Sequence, residues 1–252
     1  MKISIIMAVF NRQNTIESAL NSIVSQDHVS VELIVIDGGS IDGTLQTLDR
    51  YCDQITELVS EPDYGIYDAL NKGIALATGD VIGFLHSDDL YADNQVLSRI
   101  ALAFEASETA AVYGDVLYIA KDKSEQVVRY WKSGLFSRQK LGWGWMPPHP
   151  TFYVRRSLYE KYGNFDVTYQ IAADYDCILR FLSKSDVETV YIPEVMVKMR
   201  VGGVSNRSLR SILQKSLEDY LVLRCNGVGG IGALIWKNLS KARQFFDRPK
   251  NG

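Results

Sequence analysis

Long apolar runs are missing from this chain of 252 residues. None approaches the ~20 residues of a membrane-spanning helix. Cysteine is scarce: Cys52, Cys177 and Cys225 are scattered, and no two have redox or metal-ligand spacing. That argues against a disulfide framework and for a reducing compartment. Neither sign of charge dominates, since 27 Lys and Arg face 30 Asp and Glu. Without a basic excess, a general nucleic-acid binder is not expected. The start, "MKISIIMAVFN", holds one Lys and a short apolar run that polar residues soon close, so it does not read as a signal peptide. No internal repeat or long linker occurs. The expectation is a cytoplasmic protein.

What is present alternates in period. "ISIIMAVF" (3–10) is rich in β-branched residues and reads as a strand buried on both faces. Ile16, Ala19, Leu20, Ile23 and Val24 then recur at helical spacing, with Asn14 and Glu17 resembling a capping pair. Strands follow at 31–37, 55–61 and 80–85, separated by helical stripes at 44–51 and 66–77. This alternation predicts an α/β fold with a mostly parallel central sheet flanked by helices. The second half is less regular. Strands are predicted at 110–120 and 126–131, and a Gly-, Pro- and Trp-dense loop at 142–156 leads into another. A helix is predicted over 169–182, and a strand with a Gly-rich turn over 189–205. From residue 208 the pattern is helical and increasingly basic. "GVGGIG" (227–232) matches a dinucleotide-binding spacing, but no strand precedes it, and it reads as a turn between helices.

Chemistry in such sheets gathers at the carboxyl ends of the strands. Three of the first four ends carry acid. Asp37 ends a strand and is followed by Gly38 and Gly39, which would let a ligand approach the backbone. It could accept hydrogen bonds from a base or sugar, whereas Asp42 and the glycines could also simply turn the chain and cap the next helix. Asp88 and Asp89 stand side by side in "HSDD", where their repulsion is about 1–4 kcal/mol. A turn could tolerate that cost. A hard divalent cation would offset it, since Mg²⁺ takes one or two carboxylates plus substrate phosphates. His86 is a further candidate ligand or a structural residue. Asp68, Asn71 and Lys72 fall on the outer faces of their helix, as ligand contacts or as a plain i, i+4 ion pair. Trp143, Trp145, His149 and Tyr153 could stack on a sugar or lie beneath the Pro-rich loop. Asp174 and Asp176 point about 200° apart on one helix, so at most one faces a pocket.

Five stretches taken in order are "SIIMAVFNRQNTIESALNSIVSQ", "VELIVIDGGSIDGT", "GIYDALNKGIALATGDVIGFLHSDD", "HPTFYVRRSLYEKYGNFD" and "DYDCILR". Together, over roughly residues 2–205, they resemble the inverting family-2 glycosyltransferases with the GT-A fold. The resemblance is to bacterial enzymes of capsule, exopolysaccharide or O-antigen assembly. It implies a nucleotide-sugar donor, with a UDP-sugar as the leading choice, a saccharide acceptor that can be lipid-linked, and Mn²⁺ or Mg²⁺. By resemblance Asp37 binds the nucleobase, Asp88 holds the ribose or donor sugar, and Asp89 ligates the metal. Asp68, Asn71, Lys72 and Arg200 become further donor contacts, and Trp145 and His149 sugar or acceptor contacts. Asp174 matches the catalytic base, although the usual Glu-Asp pair reads Ala173-Asp174 here. The first acid of the metal motif is replaced by His86.

The expected organisation is a GT-A domain at 1–207, nucleotide-binding to about 110 and acceptor-binding from 111, with a C-terminal helical extension at 208–252. In that extension Ile231, Leu234, Ile235, Leu239, Ala242, Phe245 and Phe246 share one helical face, with Lys237, Lys241, Arg243 and Arg248 largely elsewhere. Such a face suits an anionic membrane, the chain's own domain or a second copy. A phosphoryl-transfer or receiver-like fold is disfavoured, because the first strand ends in "AVFNR" and no Walker-type loop exists. A non-catalytic module on the same scaffold is the remaining alternative.

Overall fold

The computed structural model describes residues 1–106, 108–120, 123–184, 186–201 and 209–244. Four strands form one half of a single sheet: β1 (Ile3–Val9), β2 (Val31–Asp37), β3 (Glu57–Ser60) and β4 (Val81–Phe84). All are parallel, in the spatial order β3-β2-β1-β4. Helices α1 (Ile16–Val24), α2 (Thr44–Arg50) and α3 (Ile66–Leu76) make the crossovers. Next in the chain come β5 (Leu90–Tyr91), α4 (Val96–Ala103), β6 (Thr109–Ala120), β7 (Lys123–Trp131) and α5 (Arg138–Leu141). A 3₁₀ turn at His149–Thr151 leads into β8 (Tyr153–Arg155), α6 (Arg156–Tyr162), α7 (Ala173–Leu182) and β9 (Glu188–Arg200). The sheet continues from β4 through β8, β6 and β9 to β5, with β7 paired to β6. Here β8 runs antiparallel to both neighbours, while β6 and β9 are parallel. The chain closes with α8 (Leu209–Cys225) and α9 (Ile231–Arg243).

The apolar strands are buried on both faces, as their composition requires. Ile3, Ile5, Met7 and Val9 of β1 pack with Ile16, Leu20 and Ile23 of α1. Ile6 and Ala8 point to the opposite layer, with Ala69, Leu70 and Ile74 of α3. Gly73 lets α3 approach closely, because a Cβ there would lie 2.3 Å from Ile6 Cγ2. Each such buried side chain contributes about 1.5–3 kcal/mol.

At the amino ends of the strands, opposite the acidic tips, Glu32 ties three segments together. It accepts hydrogen bonds from Lys2 Nζ (2.5 Å), Ser4 Oγ (2.5 Å) and the Thr78 N–H (2.8 Å). Burial pushes its carboxyl up, but these donors outweigh burial and hold the pKa down to about 2. A group held below its unfolded value stabilises fully above that value, and its contribution is lost as pH falls through the folded pKa. Glu32→Gln is therefore expected to lower stability by about 2–3 kcal/mol at neutral pH. A urea titration should show the lower midpoint, and the variant should lose less than the parent between pH 4.5 and 2.

Several local expectations are corrected. The Asn14–Glu17 capping pair does not form: the residue before α1 is Thr15, with no side-chain cap, and Glu17 pairs with Arg50 at 3.1 Å. The third strand is shorter than 55–61. Helix α7 starts at Ala173 rather than Tyr169, because the N–H groups of Gln170, Ile171 and Ala172 turn to Glu218 of α8. The expected boundary at 207/208, the Gly-rich turn from 202 onward, and Phe245, Phe246 and Arg248 lie outside the described residues. "GVGGIG" does lie between α8 and α9.

On α9, Lys237 lies off the apolar stripe, as expected, and is buried, with Nζ 2.8 Å from Asp219 and 3.1 Å above the Tyr175 ring. Among the described residues Ile231, Ile235 and Leu239 are exposed, while Leu234, assigned to the same stripe, packs against the core. No described helix is long and apolar enough to cross a membrane.

Candidate functional site

Parallel pairing sets the carboxyl ends of β1, β2 and β3 side by side, with Val9 opposite Asp37 and Asp37 opposite Ser60. Asp37 is fully buried there. Its Oδ2 accepts from the Gly39 N–H (3.2 Å), the Ser40 N–H (3.0 Å) and Ser60 Oγ (2.7 Å). Gly39, at φ +82°, makes that turn possible. Asp37 Oδ1 is buried and has no hydrogen-bond partner, an acceptor suited to a ligand N–H or O–H. Asp42 takes the other role foreseen for it: Oδ1 accepts from the Thr44 N–H at 2.9 Å at the start of α2.

Beyond β4, residues 86–89 form a tight turn in which the Asp89 N–H donates to the His86 carbonyl at 3.0 Å. Asp89 is buried, and among the described residues its Oδ2 also lacks a partner. Burial first, then the Asp88 charge, pushes its carboxyl well above the usual range, with Arg200 opposing. A bound cation would reverse that balance. Asp88 is the more exposed of the two. Among the described residues no three His, Cys, Asp or Glu side chains converge on one point. The acid pair thus fits a hard cation whose other ligands come from substrate oxygens and water. Arg200 binds this turn through its backbone, donating from Nη1 to the Asp88 carbonyl (2.8 Å) and from Nη2 to Ser18 Oγ (3.0 Å).

Asp174, in the first turn of α7, is held from several sides. The Tyr175 N–H donates to Oδ1 at 2.8 Å. The Tyr67 hydroxyl lies 3.3 Å from Oδ1 and donates to the Ile171 carbonyl at 2.7 Å. His149 Nδ1 lies 3.3 Å from Oδ2, and His149 Nε2 lies 3.0 Å from His86 Nε2. If Nδ1–H faces the carboxylate, Nε2 of His149 must accept and Nε2 of His86 must donate. A chain of two imidazoles therefore joins the HSDD turn to Asp174, and His86, the departure from the acidic motif, is its link. Asp176 turns away to Arg180 Nε (2.8 Å) and Asn226 Nδ2 (2.9 Å).

Burial pushes the His149 imidazole down to about 4, with Asp174 opposing and His86 adding to the shift. A depressed imidazole pKa means that the unfolded chain binds the extra proton first. Stability should fall by on the order of 2 kcal/mol as pH drops from the free-histidine range toward that folded value. Thermal melts of His149→Gln against the parent across this window should show a weaker pH dependence in the variant.

The other candidates are engaged elsewhere. Both amide groups of Asn71 pair with the Phe165 backbone, at 2.9 and 3.0 Å. Lys72 pairs with Glu61 at 2.7 Å and Asp68 at 3.6 Å, and Asp68 also accepts from the Tyr64 N–H. Trp145 donates to the Ser133 carbonyl and packs on Tyr113 and Phe136. Tyr153 is fully buried, its hydroxyl 2.6 Å from that of Tyr91. Three side chains go unassigned in the sequence reading: Tyr67, Glu218 and His86 as a partner of His149. Glu218, buried on α8, accepts from the N–H groups of Gln170 (3.3 Å), Ile171 (2.8 Å) and Ala172 (2.9 Å). It thus serves as the missing cap of α7, since Ala172 has no capping side chain. The only sequence signal is an acid pair, Glu218-Asp219, inside a helical run whose other charged residues are basic.

This sheet order, with acids on the strand ends, is the GT-A architecture. The family model for glycosyl transferase family 2 matches residues 4–171, and the chain belongs to that family. A PGL/p-HBAD biosynthesis glycosyltransferase of Mycobacterium tuberculosis is 30% identical over 208 residues, covering 81% of this chain and 78% of its own. The crystal structure of S. aureus TarS 1–349 in complex with UDP-GlcNAc superimposes with TM-score 0.68 at 17% identity, over 90% of this chain and 66% of that one. The mannosyltransferase PcManGT from Pyrobaculum calidifontis, in complex with GDP-Man and Mn²⁺, gives TM-score 0.64 at 18% identity, over 89% and 63%. The chain spans just under two thirds of each of these crystallised proteins, and 39% of the longer TarS chain.

Proposed function

We propose that this glycosyltransferase moves a sugar from a nucleoside-diphosphate donor, in the first instance a UDP-sugar, to an acceptor hydroxyl with inversion. The acceptor is a saccharide of cell-surface glycan assembly. The resemblance to a PGL/p-HBAD glycosyltransferase supports a glycoconjugate acceptor, and the neighbours with UDP-GlcNAc and GDP-Man support the donor class. Asp37 receives the nucleobase on its unpaired Oδ1, and Asp88 the ribose or donor sugar. Asp89 would hold Mn²⁺ or Mg²⁺, whose charge would neutralise the departing diphosphate. Arg200 keeps the HSDD turn in place beside it.

Asp174 acts as general base. A carboxylate within hydrogen-bond reach of the acceptor hydroxyl takes its proton as oxygen attacks the anomeric carbon from the face opposite the leaving group. His149 and the Tyr175 N–H fix the plane of that carboxylate and leave lone pairs for the hydroxyl. The observation carrying this reading is that the imidazole chain connects Asp174, and not Asp176, to the HSDD turn. The division at 207/208 is kept as part of the proposal.

The test is nucleoside-diphosphate release by the purified protein across a panel of UDP- and GDP-sugars, with and without Mn²⁺. Metal-dependent turnover of one donor is expected. If no donor is bound or turned over, the enzymatic reading fails and a non-catalytic module takes its place.

A further inference from the structure

The two C-terminal helices bury Val222, Leu223 and Ala233 on their inner side, yet keep a second apolar stripe exposed. On α8, Leu213, Leu217 and Leu221 recur every four residues along the outer side, and on α9 Ile231, Ile235 and Leu239 do the same. All six are at least half exposed. The charged side chains Glu218, Asp219 and Lys237 of the same helices face inward and are buried. An amphipathic helix of a free-standing soluble protein carries polar residues on its outer side. Trp143 and Trp236, both exposed, meet edge to face at 6.3 Å beside an apolar cleft of about 440 Å³ lined also by Gly142, Gly232 and Ala233. Such a concentration of exposed apolar side chains marks an interaction surface.

Charge says what covers it. Segment 208–252 carries eight basic and three acidic residues, while the rest of the chain is net acidic. Two of those three acids are consumed internally, Asp219 by Lys237 and Glu218 by the backbone before α7. Among the described side chains of these helices, what faces outward is apolar, with Arg224 exposed beside the leucines, and the basic excess is that of the segment's sequence. A symmetric pairing with a second copy would set this positive excess against itself. An anionic lipid surface complements it, and leucine stripes, cations and interfacial tryptophans are the groups that settle at the headgroup–acyl boundary.

We propose that the outer face of α8 and α9 docks in the plane of an anionic lipid bilayer, with Trp143 and Trp236 at headgroup depth. Because α8 grips the segment before Asp174 from its inner side, docking also fixes how the active site faces the bilayer.

The test is co-sedimentation of the full chain with phosphatidylcholine vesicles, plain or containing about 30 mol% phosphatidylglycerol. Binding should be about tenfold or more tighter to the anionic vesicles and should weaken in high salt. Leu217→Ser combined with Leu239→Ser should reduce it about tenfold again. Brominated lipid should quench tryptophan emission in the parent, and less in Trp236→Phe, a readout that does not depend on the serine variant folding. Equal binding to both vesicle types, no binding, or a folded serine variant that binds like the parent overturns the proposal. So does a dimer in analytical ultracentrifugation that the same serine variant dissociates, which would give this face to a second copy.

Discussion

Asp174→Asn should cut kcat by about a thousandfold while leaving donor affinity unchanged. The amide keeps the size of the side chain, its Oδ1 can still accept from the Tyr175 N–H, and its NH₂ can donate to His149 Nδ1 once both imidazoles switch tautomer, so the first turn of α7 stays folded. What it loses is the capacity to take a proton. The comparison variant is Asp176→Asn, whose side chain faces Arg180 and Asn226. That change should cost stability and little catalysis. Steady-state kinetics with saturating donor, together with calorimetric donor binding, separates the two. Should Asp176→Asn instead be the inactive protein, the base has been misassigned.

Glu218→Ala should produce the second largest effect, and no residue of the donor site need be touched to obtain it. Removing the carboxylate leaves three N–H groups ahead of α7 without their acceptor, that of Ala172 buried, at a cost of about 1–3 kcal/mol in stability. The segment 170–172 would then relax, and a displaced base loses roughly ten- to a hundredfold in kcat. Glu218→Gln retains one acceptor oxygen and should recover part of both losses. Chemical denaturation reports the first quantity and single-turnover kinetics the second. A protein destabilised as expected but with unaltered kcat would show that Glu218 supports the fold without positioning Asp174.

The parts of this site that could be read from sequence are those whose meaning is local. Asp37, Asp88 and Asp89 each end an apolar strand, and parallel β-α alternation places strand ends on one edge whatever the details. The separate directions of Asp174 and Asp176 follow from helical geometry alone. Contacts that close over long separations were illegible. Glu218 reaches Ala172 across 46 residues, and His149 reaches His86 across 63. No periodicity encodes such meetings. For the same reason the surroundings of α9 stayed open: spacing identifies an apolar stripe, but not which side of the helix meets the domain. Buried Asp219 is paired with Lys237 beneath α9, and Ile231, Ile235 and Leu239 of the same helix are exposed. Asn71 shows the converse, since an outward-facing amide was taken up by the Phe165 backbone.

The central claim is a metal-assisted nucleotide-sugar site built on Asp37 and Asp89. Its most direct test is anomalous diffraction from crystals of the protein grown with UDP and Mn²⁺. The account predicts a single manganese peak at the Asp89 carboxylate, bridged to the diphosphate, with the uracil against Asp37 Oδ1. Manganese bound away from Asp88 and Asp89, or a nucleotide that does not reach Asp37, would contradict it.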